Sequence, residues 1–169
     1  KNIGFVGRYS YIKNPSFMFS LAEYLLKRNL DLSVHIVTNT QLIRERPLKN
    51  TIVYELMDSS KLMDFYHDMD LILSPSFFET YGNVPLEAIA SGTPAFVSSN
   101  MGVSEIFREK GLNKFIIDFS NLDEVVDKSL EMIKNPPCLK DVQESLKNTH
   151  SWKAVFSKYF ELYNKFAFA

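Results

Sequence analysis

Residues 71–97 read LILSPSFFETYGNVPLEAIASGTPAFV, and this stretch decides the fold. It begins with a short apolar run at 71–73 and continues through a polar loop into a helical pattern at 83–90. Ser91-Gly92 is expected to close that helix, because glycine readily adopts the left-handed conformation that ends helices. A second apolar run follows at 94–97. A strand, a helix and a second strand in this order are typical of a βαβ unit in a parallel sheet.

The same alternation extends in both directions from this unit. Short apolar runs predict further strands at 3–6, 32–37, 52–56 and 115–117. Helical spacing of apolar residues predicts helices at 17–28, at 61–67 and from residue 122 onward. Asn14 is predicted to be the N-cap of the first helix, with Pro15 at its first position, because asparagine caps well and proline tolerates the first turn.

These elements predict one α/β domain, a Rossmann-like doubly wound parallel sheet with C-terminal helices. We expect the sheet domain at 1–150 and an amphipathic helix at 151–169 that packs on it or on a domain that precedes it. A length of 169 residues suffices for one core. The sequence enters its first strand directly after Lys1-Asn2, so we expect a fragment of a longer protein.

Composition and charge exclude several classes of protein. The 19 basic and 20 acidic residues give a net charge of −1, so no strong positive field predicts nucleic-acid binding. Cys138 is the single cysteine, which excludes a disulfide framework and a cysteine-based metal cluster and fits a reducing compartment. No apolar run approaches the length of a membrane span. Any membrane association is therefore expected through another part of the protein.

The first loop of functional interest follows the strand at 3–6. Ligands of open α/β sheets bind outside the carboxyl ends of the strands, where such loops lie. Gly7 ends the strand and permits a tight turn, and Arg8 and Lys13 follow beside a helix start. Arginine can hold two phosphate oxygens, lysine acts as a point charge, and a helix N-terminus favours anions. The loop predicts a phosphate site, and a pair of solvated surface cations is the alternative interpretation.

The second loop carries two glutamates, Glu79 and Glu87, with seven residues between them. Gly82 lies between them and leaves the backbone N–H groups of Asn83 and Val84 open to a ligand, since the first N–H groups of a helix have no partners within it. A carboxylate can accept hydrogen bonds from both hydroxyls of a vicinal diol. Phosphate donors between two such carboxylates suit a nucleotide sugar. The alternative is one surface charge and one glutamate that complements the helix dipole.

Together these motifs resemble the C-terminal half of a GT-B glycosyltransferase of family 4, the retaining transferases with an E-x7-E motif. The resemblance covers nearly the whole chain, from the first strand to the helix of Trp152. Its segments, in the family's order, are Gly7-Arg8 with Lys13, Pro75-Ser76 through Glu79, Gly82 to Glu87-Ala88, Ser91-Gly92-Thr93-Pro94 and Gly102 to Glu105. One departure is Met101, which stands where the family commonly has the first of two glycines.

The resemblance implies that Arg8, Lys13 and Glu79 are the catalytic side chains. Arg8 and Lys13 would hold the donor diphosphate and neutralise the charge on the leaving nucleotide. Glu79 would hydrogen-bond the donor sugar near the reacting centre. These implied roles put both cations and one of the carboxylates at the phosphate and sugar end of the donor.

The implied binding residues come from the same two loops. Glu87 would bind the ribose hydroxyls of the donor. The backbone of Gly82, Asn83 and Val84 would meet the sugar and the phosphate, and Gly7 would close the first loop beneath them.

The resemblance implies a hexosyltransferase that moves a hexosyl group from a nucleoside-diphosphate sugar to an alcohol acceptor, a lipid or a polysaccharide, in the cell envelope. It implies a UDP-sugar in preference to a GDP-sugar, no cofactor and no metal ion. It also implies a cytoplasmic protein that can work at the inner face of the membrane. The acceptor site would lie in an N-terminal domain outside this chain, so the fragment alone is expected to transfer little. A GT-B sugar-nucleotide epimerase and a non-catalytic nucleotide-sugar-binding module are the alternatives.

One further motif, Asp68-Met69-Asp70, is similar to the metal-binding DxD of GT-A glycosyltransferases. Its position argues against that interpretation, because the two aspartates precede the strand at 71–73 instead of following it. We therefore expect them at the edge of the sheet opposite the ligand, where they end a helix.

Overall fold

A five-stranded parallel sheet forms the centre of the computed structural model, which describes residues 1–167. Its strands are β1 (Asn2–Val6), β2 (Ser33–Val37), β3 (Thr51–Tyr54), β4 (Leu71–Ser74) and β5 (Ala95–Val97). Their order across the sheet is β3-β2-β1-β4-β5. The order reverses at β1, so β1 and β4 lie side by side although helices and strands separate them in sequence. This is the switch point at which open α/β sheets bind ligands.

Helices connect the strands and continue after the last one. They are α1 (Ser16–Lys27), α2 (Ser59–His67), α3 (Asn83–Ala90), α4 (Val103–Glu109), α5 (Leu122–Lys134), α6 (Lys140–His150) and α7 (Trp152–Ala167). Parallel strands are joined by right-handed crossovers, so a reversal of strand order places helices on both faces of the sheet. The predicted Rossmann-like, doubly wound α/β fold is confirmed.

The hydrophobic core lies on both faces of the sheet, because helices cover both faces. All four residues of β4 are buried, and β1 is buried from Ile3 to its end. Central strands of a parallel sheet are apolar on both faces because helices cover both. This explains why the strands are continuous apolar runs in the sequence and do not alternate. The packed sheet gives the loops at its carboxyl edge a rigid base.

The start of α1 differs from the prediction. Asn14 does not cap the helix: Pro15 occupies the N-cap position and the helix begins at Ser16. Asn14 has a φ of 54°, a left-handed conformation that asparagine tolerates better than most residues. Its side-chain amide Nδ2 instead donates a hydrogen bond of 3.3 Å to the carbonyl of Pro75, in the loop after β4. The side chain expected to cap a helix thus joins the two predicted ligand loops.

The strand predicted at 115–117 is also wrong as a full strand. A 3₁₀ turn occupies Asn113–Phe115, and only a single bridge joins Ile116 to Val97 at the edge of β5. The N–H of Ile117 donates to the carbonyl of Val97 at 2.9 Å, after which the chain leaves the sheet. Apolar composition predicted burial correctly here, since Phe115 and Ile117 are buried, but it did not predict pairing.

The last helix, α7, packs on α6 and has no buried residue. The aromatic stripe of this helix was expected to cover the sheet or a partner domain, and it does not cover the sheet. Each of its four side chains is at least 57% exposed: Phe156, Tyr159, Phe160 and Tyr163. Residues 168 and 169 of the predicted helix lie outside the described residues. Within residues 1–167, no helix is both long enough and apolar enough to cross a membrane.

Candidate active site

The two predicted ligand loops meet above the switch point between β1 and β4. Lys13, in the loop after β1, and Glu79, in the loop after β4, form an ion pair with 2.5 Å between Nζ and Oε1. The two side chains are 23% and 16% exposed, so solvent screens this pair less than it screens a surface pair. The backbone joins the loops as well, since the N–H of Phe77 donates to the carbonyl of Ile12 at 2.9 Å.

Ser76 supports the carboxylate of this pair. Its Oγ donates a hydrogen bond of 2.9 Å to Oε1 of Glu79, the oxygen that also meets Lys13. Ser76 is buried, and the second carboxylate oxygen of Glu79 remains able to accept another donor. The pattern of serine and glutamate three residues apart was visible in the sequence, but their hydrogen bond was not among the predictions.

Arg8 lies in the same loop as Lys13 and is exposed. It forms no ion pair with another residue of the described part of the chain, so its charge is open to a ligand. Gly7 precedes it and donates its N–H to the carbonyl of Val37 at 3.0 Å, which extends the pairing of β1 with β2 by one residue. The structure therefore places the two predicted cations in one loop and gives only Lys13 an anionic partner.

Glu45 anchors this loop, and sequence reasoning missed it. Its carboxylate accepts hydrogen bonds from the hydroxyl of Tyr9 and from Oγ of Ser16, on either side of Lys13. Burial alone raises the pKa of Glu45, but these hydrogen bonds outweigh it and leave the pKa below its usual value. An ionised Glu45 thus holds both ends of the loop that carries the cations.

The start of α3 is built as the sequence suggests. Gly82 is the N-cap residue with a φ of 103°, and no side chain caps this end. The backbone conformation favours glycine, and a Cβ there would also crowd the side chains of Met101, 2.9 Å from its Cε, and Val103, 3.2 Å from its Cγ1. The helix begins at Asn83, and the N–H groups of its first turn have no partners within the helix.

The chain after β5 lies directly against this loop. The N–H of Gly102 donates to the carbonyl of Glu79 at 2.9 Å, and the N–H of Val103 donates to that of Tyr81 at 2.6 Å. A Cβ at Gly102 would lie 2.1 Å from the carbonyl oxygen of Thr80, so only glycine permits this approach. The glycine of the predicted motif therefore has a packing role that its position in the sequence alone did not show.

Glu87 is exposed at its place in α3, and its carboxylate is oriented by Tyr66. The hydroxyl of Tyr66, at the end of α2, donates to Oε2 of Glu87 at 2.8 Å. Tyr66 is only 2% exposed. Burial raises the pKa of its hydroxyl and the neighbouring carboxylate raises it further, so the hydroxyl stays protonated and can only act as the donor to Glu87. Tyr66 was not a predicted site residue, because nothing local in the sequence connects α2 with α3.

The aspartates of the DxD-like motif lie where the sequence predicts. Asp68 is the C-cap residue of α2. Asp70 precedes β4 and accepts a hydrogen bond of 2.7 Å from the N–H of Asn2, and its carboxylate pairs with Lys1 at 2.7 Å. Both lie at the amino edge of the sheet, away from Glu79. Among residues 1–167, no group of three or more His, Cys, Asp or Glu side chains is arranged to hold a metal ion.

The fold agrees with comparisons to known proteins. Residues 1–149 match the family described as Glycosyl transferases group 1. An uncharacterized 41.2 kDa protein in the cps region of Klebsiella pneumoniae is 27% identical over 132 residues, which cover 75% of this chain and 35% of that protein. The D-inositol 3-phosphate glycosyltransferase of Corynebacterium glutamicum (strain R) is 24% identical in an alignment 182 residues long, gaps included, that covers 97% of this chain and 43% of that protein.

Solved structures agree on the fold. A mutant of S. aureus TarM, crystallised in complex with fondaparinux, alpha-GlcNAc-glycerol and UDP, has a TM-score of 0.74 at 21% identity. The alignment covers 97% of this chain and 35% of that one. The chain thus has the Rossmann-like fold of a lobe of GT-B glycosyltransferases. Since the family match covers most of its length, it belongs to the glycosyl transferases group 1 family. The chain spans 30–43% of the length of the first curated relatives that it matches.

Proposed function

We propose that this chain is the donor-binding lobe of a retaining glycosyltransferase of family 4, which transfers a hexosyl group from a nucleoside-diphosphate sugar to an alcohol. The observation that carries the proposal is the meeting of Lys13 and Glu79 above the switch point, beside the uncapped start of α3. At this point a cation that can bind a phosphate is in contact with a carboxylate that can bind hydroxyl groups. This combination suits the junction between a diphosphate and a sugar.

The diphosphate would bind between the loop after β1 and the start of α3. Arg8 offers a fork of donors that matches two phosphate oxygens, and the first N–H groups of α3 offer further donors. When the bond between the sugar C1 and the phosphate oxygen breaks, negative charge grows on the departing nucleotide. Arg8 and Lys13 would stabilise that charge. We propose that these two cations do so without a metal ion or a cofactor.

Donor binding would rearrange the ion pair. An incoming diphosphate competes with Glu79 for Lys13, because both are anions that the same ammonium can satisfy. Glu79 would then turn its carboxylate to the hydroxyls of the donor sugar, while Ser76 continues to hold one of its oxygens. The pair thus holds both side chains in position before the donor arrives. Preorganised charges of this kind need little rearrangement when the reaction occurs.

Glu87 would bind the ribose hydroxyls of the nucleotide. Tyr66 occupies one of its carboxylate oxygens and leaves the other lone pairs for a diol. We propose UDP as the nucleotide in preference to GDP, because the similar TarM structure was crystallised with UDP. This support comes from a protein that is 21% identical and shares the fold with this chain.

The main part of the acceptor site, and the base that takes the proton of the acceptor, would lie in the remainder of the protein. Relatives of this chain include a D-inositol 3-phosphate glycosyltransferase and a protein of the Klebsiella pneumoniae cps region. We therefore propose an N-terminal acceptor-binding domain, an alcohol acceptor of the cell envelope and a place in the cytoplasm at the inner face of the membrane. Helix α7 would complete this lobe or contact that domain.

Calorimetric titration of the chain with UDP and GDP tests the donor site. Arg8→Ala is expected to weaken UDP binding about tenfold to a hundredfold, since a hydrogen bond to a charged group contributes about 1.5–3 kcal/mol. Glu87→Gln should weaken it less, because a ribose hydroxyl can still donate to the amide oxygen. Arg28→Ala, at the end of α1, and Glu161→Gln, on α7, are matched controls at exposed positions.

The outcome separates the alternatives. Unchanged UDP affinity in both Arg8→Ala and Glu87→Gln would contradict the donor site. Tighter binding of GDP than of UDP would contradict the choice of nucleotide, and a loss of binding in EDTA would contradict the absence of a metal ion. If the full-length protein converts the donor without any alcohol present, it is an epimerase or a hydrolase and not a transferase.

A further inference from the structure

A cleft of about 510 Å³ opens at the carboxyl edge of the sheet beside the donor site. Its walls come from the loop after β4, from the loop after β5 and from the segment that follows Ile116. A volume of this size is within the range of small-molecule sites in proteins. The cleft takes none of its lining from Arg8, Lys13, Glu79 or Glu87, so the proposed donor site does not account for it.

The cleft nevertheless borders the donor site through two residues. Ser76 lines the cleft and donates to the carboxylate of Glu79. Asn14 lines it as well and directly follows Lys13 in the chain. A group in the cleft would therefore lie next to the ion pair that we assign to the sugar and phosphate of the donor. That is where an acceptor hydroxyl must come for transfer.

The lining of the cleft is rich in hydroxyl groups, and its only charged side chain among the described residues is Asp118. Among the described residues that line it, none is a lysine, an arginine or a histidine. Hydrogen-bonding side chains on two of its walls are Ser98, Ser99, Asn100, Asp118 and Ser120. Hydroxyl and amide groups both donate and accept, as the hydroxyls of a polyol do. A phosphate would find one carboxylate and no cation there.

Asp118 gives the cleft a fixed acceptor. One carboxylate oxygen accepts from the N–H of Ser120 at 2.8 Å, and the other accepts from its Oγ at 2.8 Å. These hydrogen bonds, the backbone one first, lower the pKa of Asp118, so the group is ionised at neutral pH. Each oxygen retains acceptor capacity for a ligand hydroxyl.

Two aromatic rings complete the walls. Phe77 is 48% exposed and packs on Tyr11 with 5.1 Å between ring centroids. Phe119 is held edge-on by Phe17 with 5.2 Å between centroids. Both phenylalanines line the cleft. A ring that is fixed on one side and open on the other can cover the apolar C–H face of a sugar or cyclic polyol, while polar neighbours bind the hydroxyls.

We propose that this cleft is a subsite of the acceptor and takes a neutral, polyhydroxylated ring, a sugar or a cyclic polyol. The assignment rests on the proposed transferase function, because it places the ring next to the donor. It makes this lobe a contributor to acceptor choice in addition to donor binding. The charge of the lining is expected to exclude phosphorylated ligands. A phosphate group would be repelled by Asp118 and would find no compensating cation among the described lining residues.

An NMR titration of the ¹⁵N-labelled chain, saturated with UDP, tests the subsite. The probes are methyl α-D-glucopyranoside and myo-inositol, with glucose 6-phosphate as the charged counterpart. We expect amide shifts at residues 98–100 and 118–120 with the neutral probes. Asp118→Ala should weaken their binding about tenfold. Asp31→Ala, an exposed aspartate that precedes β2 at the amino edge of the sheet, is the matched control and should not change it.

A second variant tests the subsite independently, in case Asp118→Ala disorders its own loop. Ser99→Tyr places a large side chain at an exposed lining position and should block the neutral probes while UDP affinity stays unchanged. Three outcomes would contradict the subsite and leave the donor function intact. In the first, UDP binds but neither neutral probe shifts these amides. In the second, Asp118→Ala binds the probes as the unmodified chain does, and in the third, glucose 6-phosphate binds as tightly as the neutral probes. If the probes bind but UDP does not, the acceptor assignment falls together with the proposed function.

Discussion

Two neighbouring regions at the carboxyl edge of the sheet differ in how they carry charge. Above β1 and β4, the cation of Lys13 meets the carboxylate of Glu79, and Arg8 in the same loop has no ion-pair partner within residues 1–167. Above β5, the cleft is lined by hydroxyls, amides and the single carboxylate of Asp118. Under the two assignments that we propose, one edge of one sheet would bind an anionic part of a ligand in one region and an uncharged part in the other. The order of the strands in the sheet determines which strand-end loops are neighbours, and so where each of these two regions lies.

Gly102 joins the two regions, and its replacement is expected to have the largest effect. In Gly102→Ala the new Cβ would meet the backbone oxygen of Thr80 at 2.1 Å, so the loops after β4 and β5 must separate. We expect a loss of about 3 kcal/mol or more in the free energy of unfolding, measured by urea denaturation. Weaker UDP binding should accompany it.

The matched control for this change is Gly111→Ala. Gly111 has a positive φ of 71°, whereas Gly102 has a φ of −55°, and a Cβ at Gly111 would have no neighbour within 4 Å among the described residues. We expect a loss of about 1–2 kcal/mol from the backbone conformation alone. Equal losses in Gly102→Ala and Gly111→Ala would show that the contact with Thr80 does not hold the two regions together.

The Lys13–Glu79 pair gives the next largest effects, and they have opposite signs. Lys13→Ala should weaken UDP binding about tenfold or more, because it removes a phosphate partner and leaves Glu79 as an uncompensated anion. Glu79→Gln should strengthen UDP binding about threefold to tenfold, because Lys13 no longer has an anion to exchange. Calorimetry with UDP measures both.

A titration with the complete sugar nucleotide separates the affinity that the sugar adds from the affinity for UDP. Glu79→Gln should lose affinity that the sugar adds while its affinity for UDP rises, since the carboxylate is assigned to the sugar hydroxyls. A decrease of UDP affinity in Glu79→Gln would contradict the exchange of Lys13 from carboxylate to diphosphate. Polyol binding in the cleft should not change in either variant by more than about twofold.

The smallest effect is expected from Tyr66→Phe. This change removes the hydroxyl that orients Glu87 and leaves the aromatic ring in the core. A neutral donor contributes about 1 kcal/mol, so UDP affinity should fall about threefold to fivefold. Tyr24→Phe is the control, since Tyr24 donates to Asp123 at the surface. If Tyr66→Phe lowers stability but leaves UDP affinity unchanged, Tyr66 is a packing residue and does not position Glu87.

Much of the site could be predicted from the sequence because of one property of parallel sheets. All their strands end at the same edge, so polar residues that follow buried strands collect there. Arg8, Lys13, Glu79 and the start of α3 are at this edge for that reason, and the aspartates before β4 are at the other. The pairing of particular side chains could not be predicted, since it depends on which strands are neighbours.

The errors have a similar cause. Asn14 was expected to cap α1, but its amide reaches Pro75 in the adjacent loop, a contact between residues that are far apart in sequence. The run at 115–117 was expected to pair as a strand, but only one bridge forms at the edge of β5. In both places the local pattern fits more than one structure. Neighbours from elsewhere in the chain decide between them.

By itself, the sequence determined the alternation of strands and helices, the apolar core and the edge at which its charged residues lie, since these follow from local periodicity and from the direction of the chain. Only the tertiary structure decided that Lys13 meets Glu79, that Tyr66 orients Glu87 and that a cleft rich in hydroxyl groups lies beside them. Each of these arrangements depends on strand order and on crossings between helices. Those are set by long-range packing, and no local pattern of residues encodes them.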